Sequence, residues 1–92
     1  DPLAAAVKSV YPEVELTTAD KDNATTGLRP VTPDGLPYIG RPNGCSNLTI
    51  AAGHAMLGWT LGPGTGKLVA ELIDGKPTSM AMDAFSPNRK FL

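Results

Sequence analysis

The sequence predicts an α/β chain, and three observations carry that reading. A short apolar run at 47–52 (NLTIAA) has the length of a buried strand, and it leads through a glycine-rich turn into apolar spacing of helical period up to residue 73. The opening residues 2–11 (PLAAAVKSVY) have the composition and start signals of another helix. Between these regions, residues 27–44 hold four prolines and four glycines in eighteen positions, a density suited to neither element.

Taken in order, the first helix has Asp1 as N-cap and Pro2 at its first position, and it stops at Tyr11 before Pro12. Its apolar stripe is Leu3, Val7 and Val10. The polar, Thr-rich stretch that follows is read as a strand at 14–18 and a turn at 20–23. The Pro/Gly-rich segment is expected to follow a constrained path with extended pieces at 28–29 and 36–39 and a turn at Asp34-Gly35. A strand is placed at 48–52 and a helix at about 60–74, with Pro63 in its first turn and Gly75 as the residue that closes it. The final stretch, 76–92, has no sustained period and reads as an irregular wrap that depends on what it packs against.

Composition removes several functional classes. Eight Lys and Arg against nine Asp and Glu leave a formal charge of −1 with no like-charge run, so the basic footprint of a nucleic-acid binder is missing. One cysteine, Cys45, cannot form an internal disulfide, and one His with one Cys cannot supply a structural zinc shell, so no metal is expected. Cys45 is expected to be a free, buried thiol. No stretch approaches a membrane-spanning length, and the first fifteen residues lack a signal-peptide pattern. The missing initiator Met suggests that the protein's own N-terminus lies elsewhere. Two Asn-x-Thr triplets, at Asn23 and Asn47, match a glycosylation acceptor, but so short a pattern carries little weight.

The residues able to carry chemistry cluster at Gly53-His54-Ala55-Met56-Leu57-Gly58-Trp59-Thr60-Leu61. Small residues between a strand and a helix let unpaired backbone N–H groups approach an anion or an electron-rich ring, aided by the positive end of the helix. A tight structural turn explains the same residues. Residues 62–67 (GPGTGK) do not make a phosphate loop, since both the spacing and the Ser/Thr are wrong. Arg29, beside the immobilising Pro30, suits a bidentate grip on a carboxylate, though a solvated surface charge is the plainer alternative. His54 reads as a hydrogen-bonded structural group more readily than as a base, and Trp59 as a core residue or as cover for a cofactor.

Two long motifs carry a resemblance. Residues 27–41 (GLRPVTPDGLPYIGR) resemble the signature near the C-terminus of the FAD-dependent D-amino-acid dehydrogenase and glycine oxidase family, and residues 47–66 (NLTIAAGHAMLGWTLGPGTG) resemble the element that closes over the flavin ring there. The stretch Leu57-Gly58-Trp59-Thr60 is more similar to the dehydrogenase branch. The resemblance implies that Arg29 binds the substrate carboxylate. It also implies that Gly53, His54, Met56, Leu57, Gly58, Trp59, Thr60 and Leu61 lie against the pyrimidine side of the flavin. In sarcosine-oxidising relatives the position of Gly27 is a cysteine bonded to the flavin; Gly27 cannot form that bond, so FAD is expected to be non-covalent.

The family's opening GxGxxG fingerprint is absent, so the chain resembles the last quarter of a two-domain FAD-dependent oxidoreductase with a parallel-sheet FAD domain. On that reading residues 1–46 belong mainly to the substrate side, 47–75 form the strand-turn-helix returning to the FAD domain, and 76–92 form the tail. The implied reaction oxidises a D-amino acid to a 2-oxo acid and ammonia. Glycine, sarcosine, D-proline or D-hydroxyproline oxidation in the same family is the alternative, and a non-catalytic interaction module the alternative from another class. Implied partners are the amino-acid substrate, a quinone or other electron acceptor, and the remainder of the parent polypeptide. The expected location is the cytoplasm, or the inner face of the cytoplasmic membrane.

Overall fold

A computed structural model describes residues 1–91, in the order α1 (Pro2–Val10), α2 (Thr18–Asp22), β1 (Tyr38–Gly40), β2 (Ile50–Ala52), α3 (Gly58–Ile73) and a 3-10 turn at Asp83–Phe85. In α1 the Asp1 carboxylate accepts from the Leu3 N–H at 2.9 Å and Pro2 occupies the first turn, as the sequence predicts. The predicted stripe is not buried, however: Val7 is half-buried, while Leu3 is 78% and Val10 66% exposed.

The strand expected at 14–18 does not form, and the residues expected to turn at 20–23 are mostly helix α2. The Thr17 hydroxyl accepts from the Asp20 N–H at 3.2 Å, while Asp20 Oδ2 accepts from the Thr17 N–H at 2.8 Å and from its hydroxyl at 2.7 Å. This capping box satisfies the helix start locally. The β-favouring Val14 and Thr17 have no neighbouring strand to pair with, so local satisfaction wins.

Strands β1 and β2 pair antiparallel in the register Tyr38↔Ala52, Ile39↔Ala51 and Gly40↔Ile50. Each is shorter than its predicted run or shifted from it, and the outer edge of β2 has no ladder partner among the described residues. Helix α3 starts two residues before the predicted position, so Pro63 lies inside it and not in its first turn. Pro63 brings no N–H to the Trp59 carbonyl, which loses its usual partner four residues on. At the other end Gly75, with φ +67°, closes α3: the Lys76 N–H donates to the Glu71 carbonyl at 2.9 Å and the Gly75 N–H to the Leu72 carbonyl at 3.4 Å.

Ile39 of β1 and Leu68 of α3 are the buried apolar residues that form the core. The tail is more ordered than its sequence suggests. The Asn88 amide donates to the Arg41 carbonyl at 2.9 Å and accepts from the Asn43 N–H at 2.7 Å, Pro87 lies against Gly40, and Arg89 reaches the 34–37 turn. The tail therefore crosses β1 and is tied at both of its ends. Cys45, expected buried, is exposed in the loop between the strands.

Candidate functional site

The chain leaves β2 at Ala52 and turns sharply before α3. Gly53, buried and at φ +78°, makes the bend, and a Cβ built there would lie 2.6 Å from Thr32 Cγ2. Ala55 follows at φ +50°, a left-handed conformation that costs a side-chain-bearing residue about 1–2 kcal/mol. Strain of this kind collects where a turn must hold a particular shape. The turn then closes through the Leu57 N–H, which donates to the His54 carbonyl at 2.9 Å.

Helix α3 begins with Leu57 as its N-cap residue and no side-chain cap. The N–H groups of Gly58, Trp59 and Thr60 have no intrahelical acceptor, and these residues are exposed, so the positive helix end opens outward. Exposed Met56, Leu57 and Trp59 flank it, Trp59 being 97% exposed, not in the core. Leu61, on the next turn, is exposed as well. Donors at the rim of an apolar surface suit a flat ring that takes on negative charge at its polar edge, as a flavin does on reduction. His54 is half-buried and its Nε2 lies 2.9 Å from Thr65 Oγ1, a bond that ties the turn to the third turn of α3. That contact is a hydrogen bond of the kind a structural His54 would make.

Arg29 stands beside this turn. The Ala55 N–H donates to the Pro30 carbonyl at 3.1 Å, and Val31 forms an antiparallel bridge with His54. The two motifs, separated by the whole β1–β2 unit, are thus joined by backbone within two residues of Arg29. The Arg29 side chain is exposed and joins no ion pair among the described residues, leaving its fork of donors available. Gly27 is also exposed.

Three residues that sequence reasoning missed hold the arrangement. Thr32, buried, donates within the turn to Asp34 Oδ1 at 3.0 Å and the Leu36 carbonyl at 2.7 Å. Asp34 receives a two-pronged contact from Arg89, Nε to Oδ2 and Nη2 to Oδ1, each at 2.8 Å. Hydrogen bonding from Arg89 is the main reason that the Asp34 carboxyl is held far below the usual carboxylate range, and the same bond raises Arg89. Asp34-Gly35 announces a turn in the sequence, but no local pattern links Asp34 to an Arg 55 positions away.

A family model described as FAD dependent oxidoreductase matches residues 1–72. Among curated proteins, a D-amino acid dehydrogenase of Neisseria gonorrhoeae is 42% identical over 89 residues, 95% of this chain and 20% of the relative. A D-amino acid dehydrogenase of Paramagnetospirillum magneticum is 41% identical over 70 residues, 76% of this chain and 16% of the relative. The chain thus spans about a fifth of the length of the curated relatives it matches. Among solved structures, glycine oxidase from Geobacillus kaustophilus aligns with a TM-score of 0.67 and 45% identity, covering 71% of this chain and 18% of that one.

Proposed function

This chain belongs to the FAD dependent oxidoreductase family, and from that premise we propose that it supplies the carboxylate clamp and the flavin-facing turn of an enzyme that oxidises D-amino acids to 2-oxo acids and ammonia. The observation that carries the reading is the junction of the two motifs. Arg29, whose guanidinium joins no ion pair among the described residues, directly precedes Pro30, whose carbonyl accepts from Ala55 in the turn that presents the open end of α3.

FAD, bound without a covalent link, supplies the two-electron oxidant for the substrate α-carbon. The chain's own residues position. Arg29 grips the carboxylate through two parallel N–H···O bonds and thereby orients the α-hydrogen, a gain of alignment more than of acid–base chemistry. The N–H groups of Gly58, Trp59 and Thr60 favour negative charge at the ring edge, and Gly53, His54, Met56, Leu57 and Leu61 shape the wall around it. Residues 1–46 belong mainly to the substrate side, 47–75 return to the FAD domain, and 76–92 form the tail. The GxGxxG segment that holds the pyrophosphate belongs to the remainder of the parent polypeptide.

Relatives named as dehydrogenases agree with an acceptor other than oxygen; our reading takes a quinone or another electron carrier for that role, and the cytoplasm or the inner face of the cytoplasmic membrane as the location. Among the described residues no helix is long and apolar enough to cross a membrane. The structural neighbour named glycine oxidase favours a second reading, oxidation of glycine or a related small amine with oxygen as acceptor.

Arg29 decides the proposal. In the full-length enzyme, Arg29→Lys keeps charge but loses the second aligned bond, and Arg29→Ala loses both. Steady-state oxidation of a D-amino acid with an artificial acceptor should show kcat/KM down at least about 10-fold for Lys and about 100-fold or more for Ala. FAD content should hold in both. Near-native kcat/KM in Arg29→Ala, or loss of activity only through loss of FAD, would place the clamp elsewhere.

A further inference from the structure

All five N–H donors of Arg89 have acceptors. Nε serves Asp34 Oδ2, Nη2 serves Asp34 Oδ1 and the Leu36 carbonyl at 2.7 Å, and Nη1 serves the carbonyls of Pro37 at 3.2 Å and Ser86 at 3.1 Å. The face of the guanidinium lies 4.2 Å from the Tyr38 ring centroid and 5.4 Å from that of Phe91, and the side chain is 11% exposed. A saturated, stacked Arg in this setting locks the segments it touches. The contacts continue inward. Asp34 Oδ1 also accepts from the Thr32 hydroxyl and from the Leu36 N–H at 3.1 Å. Thr32 Cγ2 fills the space beside Gly53, and its neighbours Val31 and Pro30 are joined to His54 and Ala55.

We propose that Arg89 and Asp34 are positioning residues: their two-pronged pair fixes the 32–37 turn and, through Thr32, sets the spacing between Arg29 and the turn at 53–58. This rests on the reading of Arg29 as the carboxylate clamp. Neither residue touches substrate; each acts through the backbone that carries Arg29. A strap from the tail therefore controls substrate alignment, and the tail contributes to the reaction as well as to folding.

A double-mutant cycle in the full-length enzyme separates positioning from general stabilisation. Wild type, Arg89→Lys, Arg29→Ala and the double variant are compared by kcat/KM for one D-amino acid with an artificial acceptor, alongside the flavin-to-protein absorbance ratio. Arg89→Lys should lower kcat/KM about 10-fold with FAD retained, since small misplacement of an orienting group is costly. In the Arg29→Ala background the same substitution should cost less than about 2-fold, because there is no clamp left to misplace. Equal losses in the two backgrounds, a near-native Arg89→Lys enzyme, or a loss that tracks FAD would overturn the inference while leaving the Arg29 reading standing. A near-native Arg29→Ala enzyme would overturn both. Asp34→Asn, which keeps the volume but not the charge, goes through the same cycle and must show the same dependence on Arg29; should Arg89→Lys fail to fold, this variant alone decides.

Discussion

At the scale of single residues, Gly53 shows how tightly the two motifs are fitted. Its φ of +78° disfavours any side chain, and the Thr32 methyl already occupies the place of a Cβ. Gly53→Ala therefore meets both a backbone and a packing penalty, together about 1–3 kcal/mol. A lower denaturation midpoint for the full-length variant, with kcat/KM reduced in the protein that remains folded, is the expected result; an unchanged midpoint would mean that Thr32 moves aside freely. Much of this was open to a reader of the sequence alone. The glycine turn and Arg29 stand out because glycine and an Arg-Pro pair are local signals. Thr32, Asp34 and Arg89 do not, because a long-range hydrogen bond leaves no local pattern and Arg89 sits in a stretch without period.

At the scale of elements, the helices with local start signals were the legible ones. Asp1-Pro2 marks α1 and Gly75 marks the end of α3, each within a residue of where the chain places it. No strand forms at 14–18 because Thr17-Thr18-Ala19-Asp20 is a capping box that starts α2 there, and local capping outweighs the β preference of Val14 and Thr17. That box has a pH dependence. Hydrogen bonds from the Thr17 hydroxyl and N–H lower the pKa of Asp20 in the folded chain. Its contribution is fully present above the unfolded value of about 3.9 and is lost as pH falls through the lower folded one. In an acid titration followed by NMR, the Thr17 amide should leave its capped chemical shift with a midpoint below the ordinary carboxylate value. Asp20→Asn should abolish that titration. A midpoint at or above the ordinary carboxylate value would show that the box does not hold in solution.

The whole molecule is too open for its length. Its radius of gyration is 19.1 Å and its extents are 52 × 27 × 21 Å, where a closed domain of this size has a radius near 12 Å. Its accessible surface of 7257 Å² likewise exceeds the roughly 5,000 Å² of a compact monomer of similar mass. Leu3, Val10, Met56 and Trp59 contribute to the excess, and we attribute their cover to the remainder of the parent polypeptide. Expressed alone, the chain should therefore emerge from gel filtration without stoichiometric FAD, whereas the full-length enzyme should be yellow. Acid precipitation of that enzyme should release its flavin to the supernatant, because Gly27 offers no atom for attachment. A yellow isolated chain, or flavin in the pellet, would contradict the corresponding assignment.

The outer edge of β2, unpaired among the described residues, bears on handling of the isolated chain. Ile50, Ala51 and Ala52 carry no charge, and Gly53 is the next residue, so nothing along that edge repels a strand arriving from another molecule. On the proposed reading, a strand of the parent polypeptide's FAD domain occupies it. Without that neighbour the edge is open to a second copy, and the isolated chain is expected to sediment faster as its concentration rises; an unchanged sedimentation coefficient would show that three residues are too short an edge to pair.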